Sequence, residues 1–374
     1  MLRLLLLPIL LLAACARAEA PPLPQGIGRA WVVADLTSGQ LLAAERPQER
    51  VEPASLTKLM TAYLVFGALR EGKLALERRA AVSMRARRAP GSRTFLEPGM
   101  PATVEELVRG MVVQSGNDAA IALAEGVAGN EEAFARLMNR EAARLGMKGS
   151  RFANASGLPD PQHYTTPHDV YLLAAALIRD FPAEYARYYS QREFRYNNIT
   201  QPNRNRLLWL DPSVDGMKTG YTEAAGYCLV SSARRDGRRV LAVLIGSSSE
   251  SARAQESLKL LNWAFQSFDA VRLYGEGEAV REIEVWKGAR DRLKAGLAGA
   301  LVVTVPRGEA GKLKAELLSQ APLVAPVAAG QRVGVLRVML EERALGEYPV
   351  VALEPVPAAG LMGRAWDTLR LWMK

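Results

Sequence analysis

Histidine is nearly absent from this 374-residue sequence, in which only His163 and His168 occur. Lysine is also scarce, with ten residues against thirty-eight arginines, so arginine carries most of the positive charge. An arginine cannot lose its proton in a protein, whereas a buried lysine can. A histidine base is therefore nearly excluded, and a lysine kept within a motif becomes a candidate for proton transfer.

Several kinds of binding site are also missing from the sequence. No glycine-rich phosphate loop is present, and no set of Cys, Asp and Glu with ligand spacing accompanies the two histidines. The net charge is +9, but the basic residues are scattered and form no stripe with interleaved aromatics. We therefore expect no cofactor, no metal and no nucleic-acid partner. The pair His168-Asp169 is expected to cap the helix that follows it.

Long hydrophobic runs are absent, and the longest lies at the N-terminus. The run Leu4–Ala14 follows Arg3 and is too short to span a bilayer, which takes about 20 residues. Residues 1–18 fit an export signal that is cleaved after Ala16-Arg17-Ala18. The alternative is a lipoprotein signal of residues 1–14, in which Leu12-Ala13-Ala14-Cys15 leaves a lipidated Cys15. Both alternatives stay open. In either case Cys228 has no internal disulfide partner, and we expect it to be buried in a strand.

Three short motifs follow in a fixed order. Ser55 and Lys58 are three residues apart, and on a helix such positions share one face, with Cβ atoms roughly 5–6 Å apart. Ser115-Gly116-Asn117 and Lys218-Thr219-Gly220 come after them. Each motif alone arises easily by chance, but their order and long spacing together indicate a serine hydrolase with a lysine base.

The residues that flank these motifs extend the pattern. The chain resembles the low-molecular-mass D-alanyl-D-alanine carboxypeptidases, which belong to the penicillin-recognising serine enzymes. The resemblance covers essentially the whole mature protein. It rests on the segments Glu52–Thr61, Gln114–Ala119, Asp215–Thr222, Arg29–Val33, Asn203–Asn205 and Val305–Gly308.

The resemblance implies roles at the reacting bond. Ser55 is the expected nucleophile and Lys58 the expected base, with a pKa lowered by burial and by the positive charge of Lys218. Ser115 is expected to relay the proton toward the leaving amine. Asn117 is expected to orient the substrate amide, and Lys218 to polarise this network.

The resemblance also implies how substrate is held. The backbone N–H groups of the nucleophile and of Tyr221 are expected to form the oxyanion hole. Gly220 leaves room for the substrate backbone, while Thr219 and Arg204 bind its terminal carboxylate. Relatives often have histidine at position 221, and Arg206 lies two residues after Arg204. The contacts of the Tyr221 side chain and the choice of arginine therefore stay open.

Periodicity and resemblance together predict an α+β fold in three parts. Residues 25–274 form a penicillin-recognising (β-lactamase/transpeptidase-like) catalytic domain, with a central antiparallel sheet flanked by helices. Residues 276–356 form a small all-β domain with a spacer or docking role. Within the first domain, Pro53 opens a helix that carries Ser55 in its first turn, where backbone amides lack intrahelical partners.

Residues 358–374 are expected to form an amphipathic helix. Its apolar arc contains two tryptophans, its polar arc contains arginine and lysine, and Leu371 is the one apolar residue on the polar side. This pattern is typical of an interfacial membrane anchor. The alternative is a helix docked on its own protein.

The expected activity is removal of the terminal D-alanine from peptidoglycan pentapeptides, with β-lactams as covalent inhibitors. The expected location is the periplasmic side of the cytoplasmic membrane. Serine β-lactamases share the three motifs, but no Glu-x-x-Leu-Asn segment for a deacylating base stands between the second and third. A D,D-endopeptidase differs mainly in pocket shape and stays an alternative. A non-catalytic wall-binding scaffold is a further class, which the intact motifs disfavour.

Overall fold

The computed structural model of the protein describes residues 22–319 and 321–372. The expected export signal, both of its cleavage sites and Cys15 lie outside these residues.

The first two thirds of the chain contain both helices and strands, and strands dominate the last third. The helices are α1 (Lys58–Arg70), α2 (Met84–Arg87), α3 (Val104–Arg109), α4 (Asn117–Ala128), α5 (Glu131–Arg144), α6 (Pro167–Asp180), α7 (Pro182–Tyr188), α8 (Leu207–Leu210), α9 (Glu250–Ser267) and α10 (Leu361–Trp372). The strands are β1 (Ala30–Asp35), β2 (Gln40–Glu45), β3 (Arg79–Ala80), β4 (Ala102–Thr103), β5 (Glu193–Tyr196), β6 (Ile199–Pro202), β7 (Val214–Thr222), β8 (Gly226–Arg235), β9 (Arg238–Ser247), β10 (Phe268–Tyr274), β11 (Ala279–Trp286), β12 (Arg292–Gly296), β13 (Leu301–Pro306), β14 (Leu313–Ser319), β15 (Leu323–Val324), β16 (Arg332–Leu340) and β17 (Arg343–Ala352).

The catalytic domain is built on one antiparallel sheet in the order β2-β1-β9-β8-β7. Strand β1 pairs with β9 along its whole length, so the N-terminal hairpin and the later hairpin β8–β9 share this sheet. Successive side chains of a strand point to opposite faces. Accordingly, Val32 packs into the larger core, under the helices, while Trp31 and Val33 pack into a second core beneath α9. The predicted α+β domain with its flanked antiparallel sheet is confirmed.

The second domain consists of strands, as expected. One sheet has the order β14-β16-β17-β12-β11-β15, and β10 pairs separately with β13. Because β10 begins at Phe268, directly after α9, the chain enters this domain there. The domain boundary that the sequence predicts, near residue 275, lies after β10 instead of before it.

A buried polar cluster joins the two domains. Asp35, at the end of β1, is fully buried. Thr304 of β13 donates its hydroxyl to Asp35 Oδ2 over 2.9 Å, and Arg238 of β9 donates Nε to the same oxygen over 2.6 Å. Arg238 also donates to the Phe268 carbonyl over 2.6 Å. We name Asp35, Arg238 and Thr304 the interdomain clasp. It pairs a buried charge while fixing the second domain against the central sheet.

Helix α10 lies against the second domain through its polar arc. The Lys287 N–H donates to Asp367 Oδ2 over 2.6 Å, and the Arg370 guanidinium lies 5.7 Å from the centre of the Trp286 ring. Leu371, the apolar residue on the polar side, is half-buried, as is Asp367. By contrast, Met362 is 90% exposed and Trp372 is 88% exposed. The helix is therefore docked on its own protein while its apolar arc faces outward. Within the described residues, no helix combines the length and the apolar character needed to cross a membrane.

Candidate active site

A cleft of about 450 Å³ opens beside strand β7, and all three motifs reach it. The expected site residues that line it are Ser55, Ser115, Asn117, Arg204, Thr219, Gly220 and Tyr221. Lys58 and Lys218 are buried beside it, with 1% and 3% of their surfaces exposed. The structure thus brings together every residue that the sequence selected.

Ser55 stands on a 3₁₀ turn, Ala54–Thr57, that leads directly into α1. Ala54 adopts a left-handed conformation with φ 46°, which an alanine disfavours. Strained backbone of this kind is common at functional sites. The Lys58 Nζ atom lies 3.0 Å from Ser55 Oγ, within hydrogen-bond reach. The candidate nucleophile and base are therefore already in contact.

The Lys58 ammonium is held from three sides. Besides Ser55, it donates to Asn117 Oδ1 and to the Ser156 carbonyl oxygen, each over 2.6 Å. Burial lowers the pKa of Lys58 from 10.5 to about 7; the Asp118 carboxylate opposes this shift and the Arg204 charge adds to it. Burial acts as expected, and Arg204 is a cation that the sequence did not indicate for this effect. The positive charges of Lys58 and Lys218 also repel each other, which lowers the pKa of Lys218. A lysine with such a pKa carries a substantial neutral fraction near pH 7 and can accept a proton.

The second motif begins where a π-helical turn, Gly110–Gln114, gives way to α4. Ser115 connects them in a left-handed conformation with φ 67°. Its Oγ is buried and lacks a hydrogen-bond partner among the described residues. Asn117 is fixed on both sides of its amide, because Nδ2 donates to the Pro90 carbonyl over 2.6 Å while Oδ1 accepts from Lys58. Ser115 is thus the polar group of this motif that is left free to bond a ligand.

The third motif lies on β7, an edge strand of the central sheet. Lys218 donates to the Thr219 carbonyl over 3.0 Å. Burial, aided by the positive charges of Lys58, Arg204 and Arg253, lowers the pKa of Lys218 well below 10.5. A Cβ on Gly220 would lie 3.3 Å from the Cβ of Ala54, so glycine also allows β7 to approach the turn that carries Ser55.

Two arginines face the cleft, and the sequence revealed one of them. Arg204 donates Nε to the Gln114 carbonyl over 3.2 Å and lines the cleft, whereas Arg206 is not among the described lining residues. Arg253, on α9, is 6% exposed and also lines the cleft. The available signal was its place on the face that buries Ser257 and Leu260, an unusual position for an arginine.

Two tyrosines form one wall of the cleft. The ring centres of Tyr221 and Tyr227 are 4.4 Å apart, and 55% of Tyr221 remains exposed. The side chain of Tyr221 thus packs on its neighbour across the β7–β8 hairpin and still faces solvent.

The remaining expectations concern the histidines and Cys228. His163 is buried, and its Nε2 lies 2.8 Å from Thr57 Oγ1. Helix α6 already contains His168 and is capped by Thr166, whose hydroxyl accepts the Asp169 N–H over 3.1 Å, so the expected cap His168-Asp169 is wrong. Thr166 precedes Pro167, which is favoured in a first helical turn, and this pair fixes the helix start. Cys228 is fully buried in β8, as expected.

Two family models together match most of the chain. One, described as D-alanyl-D-alanine carboxypeptidase (Peptidase_S11), matches residues 16–249. The other, described as the C-terminal domain of penicillin-binding protein 5, matches residues 268–358. The junction between the two matches falls within α9, just before β10.

Individual proteins agree with the family models. D-alanyl-D-alanine carboxypeptidase DacC of Escherichia coli (strain K12) is 40% identical over 363 residues, which are 95% of this chain and 90% of that protein. The crystal structure of penicillin binding protein 5 from Haemophilus influenzae superposes with a TM-score of 0.86 and 36% identity, covering 90% of this chain and 99% of that one.

A more distant structure matches a smaller share of the chain. Penicillin-Binding Protein D2 from Listeria monocytogenes, in its ampicillin-bound form, has a TM-score of 0.59 and 28% identity. It covers 64% of this chain and 97% of that one. The resemblance inferred from the three motifs is thereby confirmed across both domains: the chain belongs to the D-alanyl-D-alanine carboxypeptidase family of penicillin-binding serine peptidases.

Proposed function

We propose that this enzyme removes the terminal D-alanine from peptidoglycan pentapeptides through an acyl-enzyme on Ser55, and so limits cross-linking. The observation that carries the proposal is the 3.0 Å contact between Lys58 Nζ and Ser55 Oγ, at a lysine whose pKa is about 7. A neutral amine at that distance takes the hydroxyl proton as Oγ attacks the carbonyl carbon between the two D-alanines.

The reaction then proceeds in two halves. The backbone N–H groups of Ser55 and Tyr221 stabilise the negative oxygen of the tetrahedral intermediate. Ser115, whose Oγ has no protein partner among the described residues, passes the proton to the leaving D-alanine nitrogen. A water molecule then attacks the ester on Ser55, gives up its proton through the same groups, and releases the shortened peptide.

Recognition of the free carboxylate follows from the charge of the cleft. Arg204 lowers the pKa values of Lys58, Lys218 and Arg253, which means that four basic side chains converge there. A substrate carboxylate offsets this repulsion, and the planar fork of Arg204 can pair with both of its oxygens. Thr219, on the adjoining strand, supplies a hydroxyl to the same group.

The edge position of β7 aligns the substrate backbone. Strand β7 pairs with β8 along one side and borders the cleft on the other. An extended peptide can add to such an edge as a further strand. Gly220 adds no side chain between the strand and the turn that carries Ser55. Asn117 Nδ2 has a second hydrogen besides the one given to Pro90, and this hydrogen can be donated to the carbonyl of the substrate amide.

The test of the proposed function is the release of D-alanine. The purified mature protein is incubated with a pentapeptide ending in D-Ala-D-Ala, and free D-alanine is measured over time. A substrate made of two cross-linked stem peptides is assayed in parallel, and its cleavage measures the endopeptidase alternative. Cleavage of the cross-link without release of terminal D-alanine would contradict the proposal.

Arg204→Ala is expected to impair selectively the cleavage of substrates with a free C-terminus. Loss of a charge-assisted hydrogen bond is worth roughly 1.5–3 kcal/mol, or about 10–150-fold in kcat/KM. A substrate amidated at its C-terminus should be poor for the wild type and little worse for the variant. Arg206→Ala, two residues away and outside the cleft lining, is the matched control and should leave both substrates unaffected. An equal penalty on the free and amidated substrates would remove Arg204 from this role.

Helix α10 holds the exported enzyme at the surface of an anionic membrane. Its large apolar side chains are exposed, and they include two tryptophans, which suit the interface between lipid and water. Its docked polar arc points the apolar arc away from the protein, as adsorption with the helix axis in the membrane plane requires. The basic net charge of the chain favours the same anionic surface.

Truncation after Pro357 is expected to release the protein from anionic liposomes, lowering the bound fraction at least about tenfold. Activity on soluble peptide should be unchanged, because no site residue is removed. A full-length control, Trp366→Glu with Trp372→Glu, keeps the docking residue Asp367 and should show the same release.

Two other outcomes have distinct meanings. A truncated protein that stays in cell membranes, but does not bind liposomes when made without its signal, would identify Cys15 as a lipid anchor. A truncated protein that loses activity or unfolds in solution would show that α10 is structural, and the membrane proposal would fail.

A further inference from the structure

His163 lies behind the candidate nucleophile, in a position that the proposed mechanism does not use. It is 3% exposed, and its ring packs edge-on against Phe152, with 5.7 Å between ring centres. The Ala153 N–H donates to Nδ1 over 3.3 Å, so the neutral ring carries its proton on Nε2. That nitrogen donates to Thr57 Oγ1 over 2.8 Å. Burial lowers the pKa of His163 to about 4, so the ring is neutral near pH 7.

The segment that carries His163 also holds the candidate base. Residues 151–165, here named the 151–165 loop, close on themselves where Arg151 bridges Tyr164. The Ser156 carbonyl in this loop accepts from Lys58 Nζ over 2.6 Å, and the Ala155 carbonyl accepts from Thr61 Oγ1 over 2.6 Å. The loop is therefore the fixed reference against which the amine of Lys58 is placed.

Ser55 depends on a different segment, the 3₁₀ turn Ala54–Thr57. The turn and the loop touch closely, because a Cβ on Gly157 would overlap the Ala54 carbonyl oxygen. Packing alone leaves such a contact free to slide, whereas a directed hydrogen bond fixes its register. Among the described residues of the turn, Thr57 is the one that makes a side-chain bond to this loop, and it makes that bond to His163.

We infer that His163 is a positioning residue, whose hydrogen bond to Thr57 holds the turn that carries Ser55 in register with the loop that holds Lys58. The inference rests on the proposed function, since it concerns the alignment of the acylation step. It assigns no proton transfer to His163. A displacement of about 1 Å between nucleophile and base can cost roughly 10²-fold in rate.

Two substitutions separate the two nitrogens of the ring. Glutamine places an amide near Nε2 and can keep the bond to Thr57, whereas asparagine places one near Nδ1 and can keep the bond to Ala153. His163→Asn is expected to slow acylation by a penicillin about 10–100-fold, with the preceding non-covalent affinity changed less than about threefold. His163→Gln is expected to stay within about threefold of the wild type.

Thr57→Val tests the other end of the bond without altering the loop. Valine has nearly the shape of threonine, and position 57 is buried, so the change removes the hydroxyl alone. It should match His163→Asn in acylation rate. The double variant should be little slower than either single one, because both remove the same interaction.

The pH dependence of acylation gives a readout that a loss of stability would not move. The groups that face Lys58 are Asp118 on α4, Arg204 after β6, Lys218 on β7 and His163 itself. Of these groups, only His163 is changed in His163→Asn, and the His163 ring is neutral near pH 7. Looser packing hydrates the Lys58 amine and raises its pKa back toward 10.5, so the acid limb of the rate profile should move to higher pH.

The outcomes are distinct. The inference is supported if His163→Asn and Thr57→Val are equally slow and non-additive while His163→Gln is active. It is overturned if asparagine and glutamine are equally impaired, if Thr57→Val is normal, or if the losses follow the melting temperature. Wild-type acylation is measured in the same series, so a wild type that penicillin does not acylate overturns the proposed function and this inference together.

Discussion

Ser55→Ala is expected to abolish covalent labelling of the protein by a fluorescent penicillin, whereas the wild type should be labelled stoichiometrically. This is the largest effect expected, because the substitution removes the atom to which the acyl group is bound. Loss of a nucleophile of this type typically costs about 10⁶-fold in turnover. The measurement is fluorescence of the denatured protein on a gel, with release of D-alanine from the pentapeptide as the second readout.

The fold should survive this change. Ser55 is half-buried and its hydroxyl accepts one bond, from Lys58. Its backbone stays in the 3₁₀ turn, so the melting temperature of Ser55→Ala should match that of the wild type. A correctly folded variant that is still labelled would show that another residue is acylated, and the proposed mechanism would be wrong.

Lys58→Arg is expected to slow both acylation and peptide cleavage by about 10²–10⁴-fold or more, which is the usual contribution of a positioned general base. Arginine keeps the positive charge but has no accessible neutral form. Lysine at this position has one, because burial brings its pKa to about 7. The wild-type acylation rate should accordingly rise with pH through about 7 as the amine loses its proton.

A second substitution separates base from charge. Lys58→Met fills much of the same buried space but has neither a positive charge nor a basic amine, so it controls for packing beside Asn117 and Ser156. If the ammonium acted only as a fixed charge, Lys58→Arg would retain acylation and Lys58→Met would lose it. Equal loss in both variants, with melting temperatures near that of the wild type, supports the base.

The sequence was most informative where chemistry restricts the choice of residue. Ser55, Ser115 and Lys218 lie in three separate segments, yet the motifs selected them together, and all lie in or beside one cleft. The antiparallel sheet could be predicted for a similar reason, because alternation of side chains in β8 and β9 indicates a hairpin. In the structure both faces of that hairpin are buried. The roles given to these residues stay predictions until the substitutions are made.

Residues that act through tertiary contacts gave weaker signals. Arg253 reaches the cleft from α9, which lies far along the chain from the three motifs. His163 had no visible partner in the sequence, since Thr57 is 106 residues away. Leu371 interrupted the amphipathic pattern, and the structure shows it half-buried on the docked side of α10. In each case the missing information was which segments meet.

The interdomain clasp has a consequence for where the enzyme can work. Asp35, Arg238 and Thr304 leave little freedom for the second domain to swing against the first. If α10 is docked on that domain and rests on lipid as proposed, the cleft of every enzyme molecule lies at the same distance from the bilayer. Stem peptides at other depths of the wall are then out of range, however well they fit the cleft. Which stem peptides are cleaved then depends partly on their distance from the membrane. Lengthening the second domain should shift the layer of the wall that the enzyme reaches without altering turnover on free peptide.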